Sequence, residues 1–228
     1  MKIAVLLSGS GVYDGSEIHE AVSALIALDR LKVDVICTAP DRNQHHVINH
    51  LDGNEMDEIR NVLVESARIA RGNILPLGNL KADDIDGLLL PGGFGAAKNL
   101  STWAFDGPGS AVEGETKRII LEMHAARKPI AALCVSPVVL AKVLQEGGQG
   151  ATLTLGTTEA ASPYDIAGFH EGIAAVGADP VACDSGEIVV DETNRIISSP
   201  CYMMDASISQ IYDGIEKACT RLVEMVGQ

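Results

Sequence analysis

The chain has 228 residues, 46% hydrophobic and only 4% aromatic, with a formal net charge of -14. That length supports one sizeable core, and a single domain over residues 1 to 228 is expected. The negative charge repels phosphate backbones and anionic lipid, which argues against nucleic acid or a membrane as a main partner.

KIAVLL (2 to 7) is short, continuous and apolar and ends in SGSG, the pattern of a strand buried on both faces. It is too short for a signal-peptide core, and no apolar run reaches the roughly 20 residues of a membrane helix. Ser16 precedes EIHEAVSALIALDRL, where Ile18, Val22, Leu25 and Ile26 recur at helical spacing. VDVICTAP (33 to 40) is a second strand, and residues 41 to 55 are polar and irregular. A helix is predicted over 56 to 72, stopped by Gly72. DGLLLPGGFGAAKNL opens as a third strand ending in Pro91-Gly92-Gly93; a helix over 113 to 128 and the strand PIAAL (129 to 133) follow. Beyond Gly147-Gly148 come TLTLG, a helix near 163 to 176, two strands in EIVVDETNRIISS, and a closing helix over about 203 to 227. Alternating strands and helices predict an α/β protein with an open, mostly parallel sheet covered on both faces. In such a sheet chemistry gathers at the carboxyl ends of the strands.

Cys134 lies where PIAAL meets the helix VVLAKVL, with Ser136 placed to cap and Pro137 in the first turn. There the helix dipole favours a thiolate, so Cys134 is expected to alkylate below pH 8.5, faster than Cys37, Cys183, Cys201 and Cys219. An inert, buried cysteine continuing the strand is the plainer alternative. These five scattered cysteines include no CxxC pair, so no disulfide framework or thiolate zinc site is expected and a reducing compartment fits. Pro91-Gly92-Gly93 offers bare main-chain N–H groups, which with the N–H of Val135 would hold an oxyanion if the two segments meet. Lys98 and Asn99, just beyond, are placed to orient a substrate oxygen or simply to start a solvated helix.

Gly9, Gly11 and Gly15 are spaced one residue too widely for a dinucleotide loop, and Glu17 would crowd a pyrophosphate, so no nucleotide cofactor is expected. Glu17 is instead a carboxyl that would donate to a thiolate when protonated and take a proton when ionised. His45, His46 and His50 include an i, i+4 pair but no third type of ligand, so no metal is expected; His170 would reach the crevice only if the fold bends it there.

YDGSEIHEA, VINHLDG, RNVLVESARIARG, LLLPGGFGAAKNLS, TLTLGT and SSPCYM, in this order over nearly the whole chain, closely resemble the ElbB (enhancing lycopene biosynthesis) family. These are glyoxalase-like members of the class I glutamine amidotransferase-like superfamily, which also holds the PfpI-type peptidases. The resemblance implies a flavodoxin-like three-layer sandwich, a cytoplasmic homodimer, or a mitochondrial one if a transit peptide has been removed, and a link to isoprenoid biosynthesis. It also implies Cys134 as nucleophile, Glu17 as its carboxyl partner, and the Gly93 and Val135 amides as oxyanion donors. The implied activity is cofactor-free conversion of glyoxal, and in relatives methylglyoxal, to the 2-hydroxy acid. Val135 stands where PfpI-type peptidases carry His, and the sequence around Cys134 lacks the glycines of the amidotransferases, so neither of those activities is expected. The alternative is a non-catalytic protein whose Cys134 is oxidised and reports redox state.

Overall fold

In the computed structural model, which describes residues 1–228, the first apolar run forms β1 (Lys2–Leu6), buried from Ile3 onward. The glycine-rich turn after it leads into α1 (Ile18–Arg30), and β2 (Asp34–Ala39) runs parallel to β1. The next helix is shorter than its periodicity suggests. α2 covers only Val62–Ile69, capped by the Asn61 side chain on the Val64 amide. The residues before it are pulled into an extended excursion in which Asn43 bridges Asn61 and Ile48 bridges Glu55. β3 (Ile74–Pro76) is too short to stand out in the sequence. It is followed by β4 (Gly87–Leu90), α3 (Phe94–Lys98), α4 (Trp103–Asp106), α5 (Gly114–Ala125) and β5 (Ile130–Leu133). Then come α6 (Pro137–Glu146), β6 (Thr152–Leu153), α7 (Ile166–Ala175) and β7 (Asp179–Pro180). The predicted strand pair is β8 (Val189–Asp191) and β9 (Ile196–Ser199). α8 (Ile208–Val226) starts later than the sequence suggests, because Cys201–Met203 form a 3-10 turn and a Ser207–Gln210 capping box sets the helix start.

The central sheet has the order β3-β2-β1-β4-β5-β9-β8, parallel except for the edge strand β8. Helices α1, α2 and α8 pack together on one face, with α5 and α6 on the other, giving the expected three-layer α/β sandwich. The chain moves outward from β1 to β2 and then returns to place β4 on the other side of β1. That reversal opens a crevice at the carboxyl ends of β1, β4 and β5.

α1 does not bury the stripe that marks it in the sequence. Ile18, Val22 and Ile26 are 45%, 39% and 43% exposed. The buried face is Glu20, Ala21, Ser23, Ala24, Ala27 and Leu28, small side chains that bring the helix close to the sheet and to α8. A glutamate is therefore carried into the interior.

Candidate active site

β5 ends at Leu133, and Cys134 turns the chain into α6 with a left-handed φ of 57°. For a residue with a Cβ this conformation costs on the order of 1 kcal/mol or more and needs support. Support comes from the Cys134 N–H, which donates to the Ser199 carbonyl at 2.8 Å, and from the helix that starts at Pro137. Ser136 sits at the cap position but does not cap. Its hydroxyl donates to the Pro91 carbonyl at 2.6 Å, tying the cysteine turn to the Pro91-Gly92-Gly93 loop.

That loop is in main-chain contact with the loop after β1. The Glu17 N–H donates to the Gly92 carbonyl at 2.9 Å and the Phe94 N–H to the Val12 carbonyl at 2.7 Å. Both glycines are required by this approach. A Cβ on Gly92 would stand 2.6 Å from a Glu20 oxygen and 2.9 Å from the Cys134 sulfur. Gly93 has φ 95°, and a Cβ there would strike the Glu17 amide and the Gly15 carbonyl. The Gly93 N–H faces the Cys134 sulfur. Neither the Gly93 nor the Val135 N–H donates to a protein oxygen.

The carboxyl beside the sulfur is Glu20, where Glu17 was expected. Glu20 is wholly buried; its Oε2 accepts from the Gly92 N–H at 2.9 Å and its Oε1 from the Tyr202 N–H at 3.3 Å, and the same Oε2 stands across Gly92 from the Cys134 sulfur. Burial, and secondly the charge on Glu17, push its pKa up to about 8. Glu17 caps α1, its Oε2 accepting from the Glu20 N–H at 2.7 Å, and so acts on the thiol only through Glu20. Sequence spacing gave no separation between two carboxyls three residues apart; the signal lay in the small residues Ala24 and Ala27, which share Glu20's face.

The thiol is also unlike its expected state. Cys134 is 6% exposed, and burial pushes it well above the ordinary thiol value, with Glu20 and Cys201 adding to the rise and the Gly93 amide opposing it. The helix dipole, worth roughly 0.3–1 kcal/mol, does not overcome that desolvation.

Lys98 and Asn99 serve the loops rather than the crevice. The Lys98 ammonium donates to the Tyr13 carbonyl at 2.9 Å and lies over the Phe94 ring. The buried Asn99 amide donates to the Ser8 and Asp14 carbonyls, both at 2.8 Å, and its oxygen accepts from the His45 N–H. His45 and His46 pack on Phe105, and His50 on Tyr13. α7 turns Phe169, not His170, toward the sulfur.

Cys134 opens into a narrow hollow walled by Val12, Phe94, Tyr164, Phe169, Tyr202 and Met203. Its lining is mostly apolar. Val12, Tyr164 and Tyr202 also line an outer vestibule that holds Glu17, His19 and Asp205. Half-burial and the facing Cys134 push the Tyr164 phenol up to about 12, so it remains a neutral donor. The His19 ring meets the Tyr202 hydroxyl at 2.9 Å. The arrangement brings a thiol, a buried carboxyl and a main-chain N–H together in one apolar recess, the groups that addition of sulfur to a carbonyl calls on.

No protein-family model matches the chain. Over its full length it is 44% identical to the human glutamine amidotransferase-like class 1 domain-containing protein 3, mitochondrial, covering 84% of that protein. It is 42% identical to the rat ES1 protein homolog, mitochondrial, again over its full length and 85% of the relative. Among solved structures, an isoprenoid biosynthesis protein with an amidotransferase-like domain from Ehrlichia chaffeensis superposes with a TM-score of 0.88 at 37% identity, covering 98% of this chain and 99% of that one. Drosophila melanogaster DJ-1beta shares the fold, with a TM-score of 0.56 at 17% identity over 99% of this chain and 95% of its own. The chain belongs to the ES1 family of glutamine amidotransferase-like class 1 domain proteins.

Proposed function

We infer that the protein is a cofactor-independent glyoxalase, a lyase-type enzyme that converts glyoxal or a similarly small dicarbonyl to the 2-hydroxy acid. One arrangement carries this reading: the wholly buried Glu20 carboxyl stands across Gly92 from the only thiol that opens into the hollow, and burial pushes its pKa up to about 8. As a coupled pair, Glu20 and Cys134 release their first proton together, and proton exchange between them yields a thiolate beside a carboxylic acid. The thiolate adds to one aldehyde carbon, the Gly93 and Val135 amides hold the oxyanion, and Glu20 protonates it to a hemithioacetal. The Glu20 carboxylate then takes the C–H proton from that carbon, giving an enediolate, and returns it to the neighbouring carbon. Water cleaves the resulting thioester, releasing the hydroxy acid and the thiol. So small a substrate offers little remote binding energy, so turnover is modest.

The ElbB reading draws support from the isoprenoid biosynthesis name of the Ehrlichia chaffeensis protein. The names of both curated relatives say mitochondrial, which supports that compartment over the cytoplasmic one. No helix is long and apolar enough to cross a membrane. The homodimer remains part of this proposal, with the exposed α1 stripe as apolar surface for it to cover.

The test is glyoxal consumption with hydroxy-acid formation by purified protein. Cys134→Ala and Glu20→Gln should each lose at least a hundredfold, about 2.7 kcal/mol of transition-state stabilisation. An inert wild type, or a Glu20→Gln variant with the wild-type rate, overturns the assignment.

A further inference from the structure

A second thiol lies against the first. β5 and β9 run side by side in parallel with Leu133 opposite Ser199, and the Cys134 N–H continues the ladder to the Ser199 carbonyl. Two residues beyond Ser199 stands Cys201. Both cysteines leave their strands with left-handed φ, 57° and 44°, so both chains turn sharply at the same level. Cys201 is wholly buried, and its sulfur sits against the Cys134 amide. Continued by one residue, that register sets Cys134 beside Pro200, and a strand spacing of about 4.8 Å with a one-residue rise of about 3.3 Å puts the diagonal Cys134–Cys201 pair about 5.8 Å apart, inside the roughly 4.4–6.8 Å between Cα atoms that a disulfide spans. Glu20 lies within electrostatic reach of both sulfurs, and the next residue, Tyr202, donates its N–H to that carboxyl at 3.3 Å.

The two thiols differ in access. Cys134 lines the hollow, and Cys201 does not. A small oxidant entering from solvent therefore meets Cys134 first, and Cys201 is reached only through it.

We propose that Cys201 is a resolving thiol for Cys134: after a hydroperoxide oxidises Cys134, the two cysteines close an intramolecular disulfide that protects the nucleophile from irreversible oxidation. In the first step the Cys134 thiolate attacks one peroxide oxygen. The O–O bond breaks, water or an alcohol leaves, and the sulfur is oxidised by two electrons to a sulfenic acid. In the second the Cys201 thiolate attacks that sulfur. The S–S bond forms, the S–O bond breaks, and the hydroxide departs as water with the proton that Cys201 gave up, relayed by Glu20. A dithiol reductant restores both thiols.

The proposal does not depend on glyoxalase activity, and its readout is independent of turnover. Reduced protein is treated with stoichiometric hydrogen peroxide, the remaining thiols are alkylated, and the protein is mapped by mass spectrometry without reduction. The expected wild-type product is a monomer that has lost two hydrogen atoms, carries a Cys134–Cys201 cross-linked peptide, and reverts with dithiothreitol. Cys201→Ser should instead accumulate Cys134 sulfinate severalfold faster than wild type. A wild type that forms sulfinate on Cys134 while Cys201 stays free, that pairs Cys134 with another cysteine, or that stays fully reduced overturns the proposal. Because the wild-type map decides alone, a poorly folding Cys201 variant does not rescue it.

Discussion

A Glu20 carboxyl oxygen and the Cys134 sulfur face each other across the place where a side chain on residue 92 would stand. Gly92 keeps that space open, and its own N–H holds the carboxyl at 2.9 Å. Gly92→Ala should therefore push acid and thiol apart. Overpacking a buried site of this kind costs about 1–3 kcal/mol, so the variant is expected to fold with a lowered Tm. Glyoxal consumption should fall at least a hundredfold. Calorimetry with a steady-state assay checks both, and an active, equally stable Gly92→Ala enzyme would mean that the two groups do not act as a unit.

The pH dependence of the thiol follows from the same pair. Burial holds Cys134 and Glu20 protonated at neutral pH, and Glu20 titrates at about 8. Iodoacetamide should label Cys134 slowly at pH 7, with the rate climbing as pH passes 8. Glyoxal turnover should rise over the same range. The Glu17 charge helps hold the Glu20 value up, so Glu17→Gln should move the rising limb to lower pH. A limb that stays in place would show that Glu17 does not act on the pair.

Glu20 also makes stability depend on pH. Its folded value, about 8, exceeds the ordinary carboxyl value of 4.5, so the native state retains a proton that the unfolded chain gives up. The contribution is complete below about 4.5, declines as pH rises, and is lost once pH passes the folded value. The slope is at most roughly 1.4 kcal/mol per pH unit. Glu20→Gln has no such proton. The Tm of this variant minus that of wild type should increase by several degrees between pH 5 and pH 8.5, as scanning calorimetry would record. Parallel curves would show that Glu20 is not held neutral.

The strands, the crevice and the cysteine turn were legible because each has a local cause: an apolar run, a glycine or proline stop, a cap residue before a helix. Glu20 was not, because its neighbour Glu17 also begins the helix, and Ile18, Val22 and Ile26 suggested the wrong buried face. That outward stripe left Ala21, Ala24 and Ala27 to make the close contact. Lys98 and Asn99 fell in the right loop but point to main-chain carbonyls, a distinction that depends on side-chain direction in the folded chain. Tyr164, Phe169 and Tyr202 come from segments far from Cys134 in sequence and converge on it only through the sheet order. The expected acidic thiol failed on magnitude, since a helix end lowers a thiol's pKa by less than full burial raises it.

Charge on the substrate provides the last expectation. The vestibule carries Glu17 and Asp205 on the path to Cys134, and neither it nor the hollow is lined by lysine or arginine. The one nearby ammonium, on Lys98, is bound to the Tyr13 carbonyl. An anionic carbonyl would have to enter a poorly hydrated space against like charge, whereas an uncharged dialdehyde would not. Glyoxylate, whose carboxylate carbon cannot take the shifted hydrogen, gives no product by this route and so serves as an anionic probe: it should inhibit glyoxal consumption only weakly, with like-charge repulsion as the cause. The hydroxy-acid product, ionised on release, should inhibit weakly for the same reason. Competition assays with glyoxylate and glycolate measure both effects. Tight inhibition by glyoxylate would require a cation in the site, and with it a different arrangement of the loops around Cys134.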